Sequence, residues 1–328
     1  MAKPVAHPIT VEVVRNSIVA YADEMANALC KAAYNMMIYE VRDFCCGLID
    51  TQGRMISQNR GGLPIFLADL GVAVEDGIKR YGLDGFKPGD IMIMNHGEVC
   101  GQHLNNVVIY APCFVDGQLV AFAANRAHWV DIGGMRIGFG SSLTTEIFAE
   151  GLQMRSLKIY EAGVRNETLW QIINDNVRFP DASLGDLRAQ IASCQLGARR
   201  YGELVARYGQ DVVEACVERV WEQADRTVRS VIQKIPDGVY EAEAFMDDDG
   251  LDIGKRVPIK VREEIRKMTY TERALTNTLG RSPTNTEIAR VLNKPLTRVQ
   301  QLKFYLLQEP SSLDAINSDK VEDDHEHE

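Results

Sequence analysis

The amino-acid sequence predicts an α/β protein in which mixed sheets are flanked by helices, followed by a small three-helix C-terminal domain. Segments with helical periodicity alternate with short strand-like runs over most of the chain. Residues 1–254 contain 25 of the 26 glycines, all seven cysteines and all three tryptophans. Three helix-like segments follow Gly254. The change in composition predicts a first domain over 1–254, a helical domain over 255–309 and an acidic, disordered tail over 310–328.

The first elements follow from periodicity and turn residues. Apolar residues recur on one helical face as far as Met36, and Thr10 is suited to cap that helix. A strand, a turn at Thr51–Gly53 and a second strand come next. Helical periodicity returns over 68–80, and the turn at 87–90 precedes a short apolar strand.

The clearest β-hairpin surrounds Asp116–Gly117, a dipeptide typical of two-residue turns between apolar strands. The glycine-rich segment 133–142 is not a phosphate loop, because it lacks the closing Gly-Lys-Ser/Thr. Residues 167–234 are predicted to be mostly helical, with a break at Phe179–Pro180. Beyond Gly254, the three predicted helices are separated by Gly-Arg-Ser-Pro and Asn-Lys-Pro breaks.

Charge and cysteine usage limit the class of protein. The formal net charge of −10 argues against a chain that binds nucleic acid along its whole length. Only 255–303 is basic, with 12 Lys/Arg against 4 Asp/Glu. The seven cysteines show no CxxC spacing, and no apolar run is typical of a signal peptide or a membrane span. These features predict a reduced, cytoplasmic setting without membrane contact.

The hairpin brings two histidines together. If 116–117 is a two-residue loop, the strand pairing places His128 opposite Asn105. His103 then lies diagonally from His128 on the same face, with the two backbones roughly 7–8 Å apart. Two imidazoles at that separation can converge on one metal ion.

Two carboxylates can complete such a site. Asp131 follows where the chain leaves the hairpin, and Asp43 starts another strand that can reach the same rim. The alternative is that each histidine is a hydrogen-bonded core or surface residue, as single histidines usually are. Cys45 and Cys46 are interpreted as packing residues, because neighbours in a strand point to opposite faces.

A series of strings occurs in one order within residues 1–254: HPITVEVVRNSIVAYADEM, VRDFCCGLID, KPGDIMIMN, GQHLNNVVIYAPCFVDGQLVAF, NRAHWVDIGG, TTEIFAEGL and GDLRAQIASCQLGARR. Together they resemble the hydantoinase B, 5-oxoprolinase and acetone carboxylase alpha-subunit family. The region corresponds to about half of a typical member.

The resemblance implies a subunit of a hetero-oligomer that works with an ATP-using, hydantoinase A-type partner. It implies hydrolysis of cyclic amides or carboxylation of ketones, and a divalent metal ion (Zn, Mn or Fe) held by Asp43, His103, His128 and Asp131. Asn106 stands where many members carry an aspartate, which leaves the metal and the substrate open. No nucleotide-binding motif occurs in the chain, so ATP is expected to bind the partner.

Residues 255–315 carry the strings LGRSPTNTEIA and PSSLD, and this segment resembles region 3 of primary-type bacterial sigma factors. That resemblance implies a helix that touches promoter DNA, and contact with RNA polymerase through 255–309. The alternative is a solvated helix face. The residues at the corresponding positions are Lys260, Arg262, Glu263, Arg266 and Lys267.

Three hypotheses follow from these patterns. The first is an enzyme subunit with its metal site in residues 1–254. The second is a DNA-binding protein that acts through 255–309. The third is a non-functional fusion of two partial domains, because the two regions meet without a linker.

Overall fold

The computed structural model describes residues 7–138, 144, 146–243, 245–246 and 257–307, and only the backbone of 67–69, 245–246, 257–263 and 304–307. The expected join at 250–256 and the tail at 310–328 lie outside the described residues. The contacts within the chain divide it into two compact units, Met1–Ile235 and Pro236–Glu328. The division thus precedes Gly254.

The first unit is built on one antiparallel sheet. Its strands are β1 (Phe44–Ile49), β2 (Met55–Gln58), β3 (Ile91–Met94), β4 (Asn106–Val115), β5 (Gln118–His128), β6 (Leu157–Glu161) and β7 (Val164–Arg165). They are arranged in the order β2-β1-β5-β4-β3-β6-β7. The long hairpin β4–β5 therefore occupies the centre of the sheet.

The hairpin has the predicted turn but not the predicted register. Both residues of the Asp116–Gly117 turn have positive φ, 49° and 78°, as a type I′ turn requires. A β-bulge then leaves Val120 as an extra residue in β5 and shifts the pairing by one position. Asn106, rather than Asn105, therefore lies opposite His128. The expected pairing with Asn105 is wrong because the sequence contains no signal for this bulge.

Helices cover both faces of the sheet. They are α1 (Pro8–Ala32), α2 (Met36–Tyr39), α3 (Pro64–Tyr81), α4 (Gly97–Cys100), α5 (Glu167–Asn176), α6 (Pro180–Tyr208) and α7 (Gln210–Ile232). Helix α1 begins earlier than expected, because Pro8 fits the first helical position and the ring of His7 accepts the N–H of Ile9 over 3.3 Å. Thr10 therefore lies inside the helix rather than at its cap.

The two faces of β5 enter different cores. Ala121, Ala123 and Ala127 pack in the core formed with α1, α6 and α7. Phe122 and Ala124 pack in the core formed with α3. All five side chains are buried, so β5 is covered on both faces. This burial explains why the central strands read as nearly continuous apolar runs.

The second unit contains the predicted helices. Its elements are β8 (Phe245–Met246), β9 (Val257–Pro258), α8 (Ile259–Leu279), α9 (Asn285–Leu292) and α10 (Leu296–Leu307). A capping box between Thr284 and Glu287 starts α9. Met268, Ile288 and Val299, one from each helix, are buried in a small core.

Candidate metal site

Three strand ends meet at one end of the sheet. Strands β1 and β4 start there and β5 ends there, because neighbouring strands are antiparallel. Asp43 immediately precedes β1, and His128 is the last residue of β5. The backbone N–H of His128 donates a hydrogen bond to the carbonyl of Asp43 over 3.0 Å. Asn106, the first residue of β4, lies opposite His128, so the topology brings these three residues together.

His103 reaches the same place from the turn before β4. Its carbonyl accepts the N–H of Asn106 over 3.2 Å, and its Nε2 lies 3.0 Å from the Nδ2 of Asn106. The rings of His103 and His128 lie 5.0 Å apart between centroids and are tilted by 56°. Because β4 begins after His103, the approach comes from a turn rather than from diagonal pairing within the ladder. The two rings are close enough to contribute nitrogen ligands to one ion.

The electrostatic surroundings keep both imidazoles neutral. Burial lowers the pKa of His103 to about 4, and the His128 ring and Arg126 act in the same direction, while Glu150 and Asp43 oppose them. Burial also lowers the pKa of His128. Burial raises the pKa of the Asp43 carboxyl, whereas His103 and Arg126 lower it. Neutral imidazole is the form that binds metal ions.

Buried oxygens beside the rings favour a cation. The Oδ1 atoms of Asp43 and Asn106 are buried, and no described residue donates a hydrogen bond to either atom. A buried oxygen without a donor is costly, and a bound cation removes that cost. Two neutral imidazoles and a carboxylate are donor types that suit Zn, Mn or Fe. The residue types at this strand end therefore fit a divalent metal ion.

The side chains do not form a closed ligand set as they stand. Within the described ranges, no group of three or more His, Cys, Asp and Glu side chains is arranged so that it could hold a metal ion. Binding at Asp43, His103 and His128 therefore requires rotation of side chains about their χ angles.

Asp131 has other partners. Its carboxylate accepts the N–H of Gly133 over 3.0 Å and the backbone N–H of Arg178, and it pairs with the Arg178 guanidinium over 2.9 Å. The side chain of Asp131 is buried. These contacts tie the chain leaving β5 to the segment before α6. The carboxylate of Asp131 is therefore already engaged by Arg178, which only the folded chain shows.

Two residues near the rings were not predicted. Arg126 is fully buried on β5, two residues before His128 and on the same face, with its guanidinium carbon 5.0 Å from the centre of the Phe66 ring. Glu150 accepts the N–H of Leu104 over 3.1 Å and acts electrostatically on His103. Arg126 could have been identified from the sequence, because residues two apart in a strand lie on the same face. No sequence pattern indicated Glu150.

Two of the residues predicted to contact DNA have side chains that the structure describes. Arg266 and Lys267 are exposed on α8. The nearby carboxylate of Glu264 pairs with Arg298 over 2.7 Å and with Lys294 over 3.4 Å. The side chains of Lys260, Arg262 and Glu263 lie outside the described residues.

The chain matches the family model "Hydantoinase B/oxoprolinase" over residues 7–306. It is similar to the B subunit of a putative D-/L-hydantoinase of Pseudomonas sp. (strain NS671), with 32% identity over 94% of this chain and 52% of the relative. It is also similar to the beta subunit of the caprolactamase of Pseudomonas jessenii, with 33% identity over 79% of this chain and 44% of the relative. The chain therefore spans about half the length of these curated relatives.

Solved structures show the same fold. The crystal structure of the ATP-dependent caprolactamase from Pseudomonas jessenii superposes with a TM-score of 0.66 and 32% identity, over 75% of this chain and 42% of the other. A nucleotide-free acetone carboxylase structure superposes with a TM-score of 0.57 at 20% identity, which shows the fold alone. The fold class predicted from the sequence is confirmed.

The family match crosses the expected join near Gly254 and runs to residue 306. The resemblance of 255–315 to a sigma factor, and the DNA contact inferred from it, find no support in these comparisons. The resemblance rested on the strings LGRSPTNTEIA and PSSLD, and short strings of this kind do not by themselves identify a family. Among the described helices, none has the length and apolar character needed to cross a membrane. The chain belongs to the hydantoinase B/oxoprolinase family.

Proposed function

We propose that this chain is the metal-binding subunit of an ATP-coupled enzyme that opens cyclic amides. The observation that carries the proposal is the meeting of Asp43, His103 and His128 at one end of the sheet, with a buried oxygen of Asp43 that no described residue donates to. Family membership supports the reaction class.

The relatives favour amide hydrolysis over ketone carboxylation. Two proteins at least 30% identical to this chain are named as subunits of a hydantoinase and of a caprolactamase. Both names refer to cyclic amides. The acetone carboxylase likeness, at 20% identity, supports only a common fold. Ketone carboxylation is therefore the second candidate, and a substrate assay separates the two.

Each residue has a distinct part in the proposed site. His103 and His128 supply neutral nitrogen donors, and Asp43 supplies a carboxylate oxygen. A divalent ion, when bound, polarises a carbonyl oxygen of the substrate. Burial raises the pKa of the Asp43 carboxyl, and the nearby Arg126 opposes that shift and so favours the ionised carboxylate. Asn106 lies opposite His128 and places its Nδ2 3.0 Å from the Nε2 of His103. This amide must turn away before that ring nitrogen can bind a metal ion.

ATP is assigned to a second subunit. The sequence contains no Gly-Lys-Ser/Thr phosphate loop, and both named relatives are subunits. We therefore place this chain in a hetero-oligomer with a hydantoinase A-type, ATP-using partner.

Metal content of the purified chain tests the proposal. We expect about one equivalent of Zn, Mn or Fe by inductively coupled plasma mass spectrometry after reconstitution, and its loss in a His103→Ala/His128→Ala double variant. His7→Ala is the matched control, because His7 caps α1 away from the strand ends. A folded wild-type chain that binds no divalent ion would overturn the proposal.

The reaction class needs the complete complex. With the partner subunit and ATP, we expect hydrolysis of a hydantoin, a lactam or 5-oxoproline, and its loss in the double variant. Carboxylation of a ketone without amide hydrolysis would instead establish the second candidate.

A further inference from the structure

Helix α6 carries a buried polar stripe that faces the sheet. Ser183, Asp186 and Gln190 follow one another at helical spacing, and each is at most 4% exposed. Polar side chains in a core must be hydrogen-bonded, so each indicates a specific partner. Gln190 accepts the indole N–H of Trp129 over 2.7 Å and donates to the carbonyl of Val107 over 2.9 Å. The stripe therefore holds main chain near the strand ends of the proposed site.

Asp186 holds the link between α1 and α2. Its Oδ1 accepts the backbone N–H of Tyr34 over 2.7 Å and that of Asn35 over 3.3 Å. Asp186 is 1% exposed. Two main-chain donors on one buried carboxylate oxygen give a charge-assisted anchor that restricts where α2 begins.

Asn35 connects that anchor to both sides of the proposed site. Its Oδ1 accepts the N–H of Met37 and caps α2, and its Nδ2 donates to the carbonyl of His128 over 3.0 Å. The carbonyl of Met37 in turn accepts the N–H of Asp43 over 2.7 Å. One buried amide thus joins the main chain of His128 to the helix that holds Asp43.

We propose that Asn35 and Asp186 are positioning residues that set the distance between Asp43 and His128. The inference rests on the proposed metal site, because the two residues act on Asp43 and His128 only through main-chain hydrogen bonds. Groups that orient metal ligands typically change metal affinity 10- to 100-fold when they are altered. Within the string GDLRAQIASCQLGARR, the spacing of Asp186 and Gln190 places both residues on the inner face of α6.

Asn35→Ser isolates the link to His128. Serine is also a good N-cap and keeps an acceptor for α2, but it has no amide to donate to the His128 carbonyl. We expect Co²⁺ to bind the full-length variant about tenfold more weakly than wild type in a visible-absorption titration. Asn166→Ser is the matched control, because Asn166 also caps a helix, α5, through its Oδ1 and donates its Nδ2 to a main-chain carbonyl, that of Lys158. Wild-type Co²⁺ affinity in Asn35→Ser would overturn the inference.

A measurement without metal separates this inference from the proposed site. We expect the amide protons of Asp43 and His128 to exchange faster with solvent in Asn35→Ser and in Asp186→Asn than in wild type. Asn166→Ser should leave both rates unchanged. Exchange at wild-type rates in both variants would contradict the positioning role. If the wild-type chain binds no Co²⁺ but these amides exchange as expected, the metal site fails and the positioning of Asp43 against His128 stands.

Discussion

The ring centroids of His103 and His128 lie 5.0 Å apart, although one residue belongs to a turn and the other to the end of a strand. Their proximity depends on the antiparallel pairing of β4 and β5, which returns the chain to the same end of the sheet. Asp43 joins them because β1 pairs with β5 on the other side.

The metal-free protein should lose stability as the pH falls from about 6.5 towards 4. The pKa of His103 is about 4 in the folded chain, so between these values the unfolded chain binds a proton that the folded chain does not. The contribution of neutral His103 is therefore complete above the ordinary histidine pKa and is lost as the pH falls to about 4. Urea unfolding across this range, with a chelator present, measures how the free energy of unfolding changes with pH. His103→Gln should reduce this pH dependence. Equal pH dependence in the variant and the wild type would contradict the lowered pKa of His103 as its cause.

Replacing Arg126 by methionine should raise the pKa of His103. The guanidinium disfavours the protonated ring, so its removal favours imidazolium. The pKa of Asp43 should rise as well, because the same charge favours the ionised carboxylate. NMR titration of the histidine ring protons measures the first shift. An unchanged or lower His103 pKa in Arg126→Met would contradict the proposed action of the guanidinium on this ring.

Asp131→Ala should destabilise the chain but preserve metal binding. The substitution removes the acceptor of two backbone N–H groups and the partner of Arg178, and a buried donor left without a partner costs about 1–3 kcal/mol. Urea unfolding measures this loss in the metal-free protein. Loss of bound metal from a folded Asp131→Ala chain would return Asp131 to the ligand set.

Replacing each of two helical glycines by alanine should change the stability of the chain in opposite directions. A Cβ at Gly71, in α3, would lie 2.2 Å from the carbonyl oxygen of Gly53, which is backbone and cannot swing away. We expect Gly71→Ala to cost about 1–3 kcal/mol, as overpacking does. A Cβ at Gly202, in α6, meets no atom closer than 3.6 Å, so Gly202→Ala should stabilise by up to about 1 kcal/mol. Thermal unfolding of both variants checks the pair, and similar effects would refute the packing argument.

Local sequence patterns predicted most of the fold. The Asp116–Gly117 turn, the strands on either side and the break before α6 are set by residues close together in sequence, so turn and periodicity rules find them. The same rules placed the start of α1 at Thr10, whereas Pro8 occupies the first helical position. They also missed the bulge at Val120, because a bulge changes pairing without changing the apolar pattern of β5 in a visible way.

For the candidate site, the sequence by itself determined only which side chains have donor atoms that suit a metal ion: Asp43, His103, His128 and Asp131. Only the tertiary structure decided which carboxylates remain available to bind a metal ion. It pairs Asp131 with Arg178, brings Glu150 within electrostatic reach of His103, and ties the main chain of His128 to Asn35. The physical reason is that hydrogen bonds and ion pairs act over a few ångströms in space, between residues whose separation along the chain is fixed by no local rule.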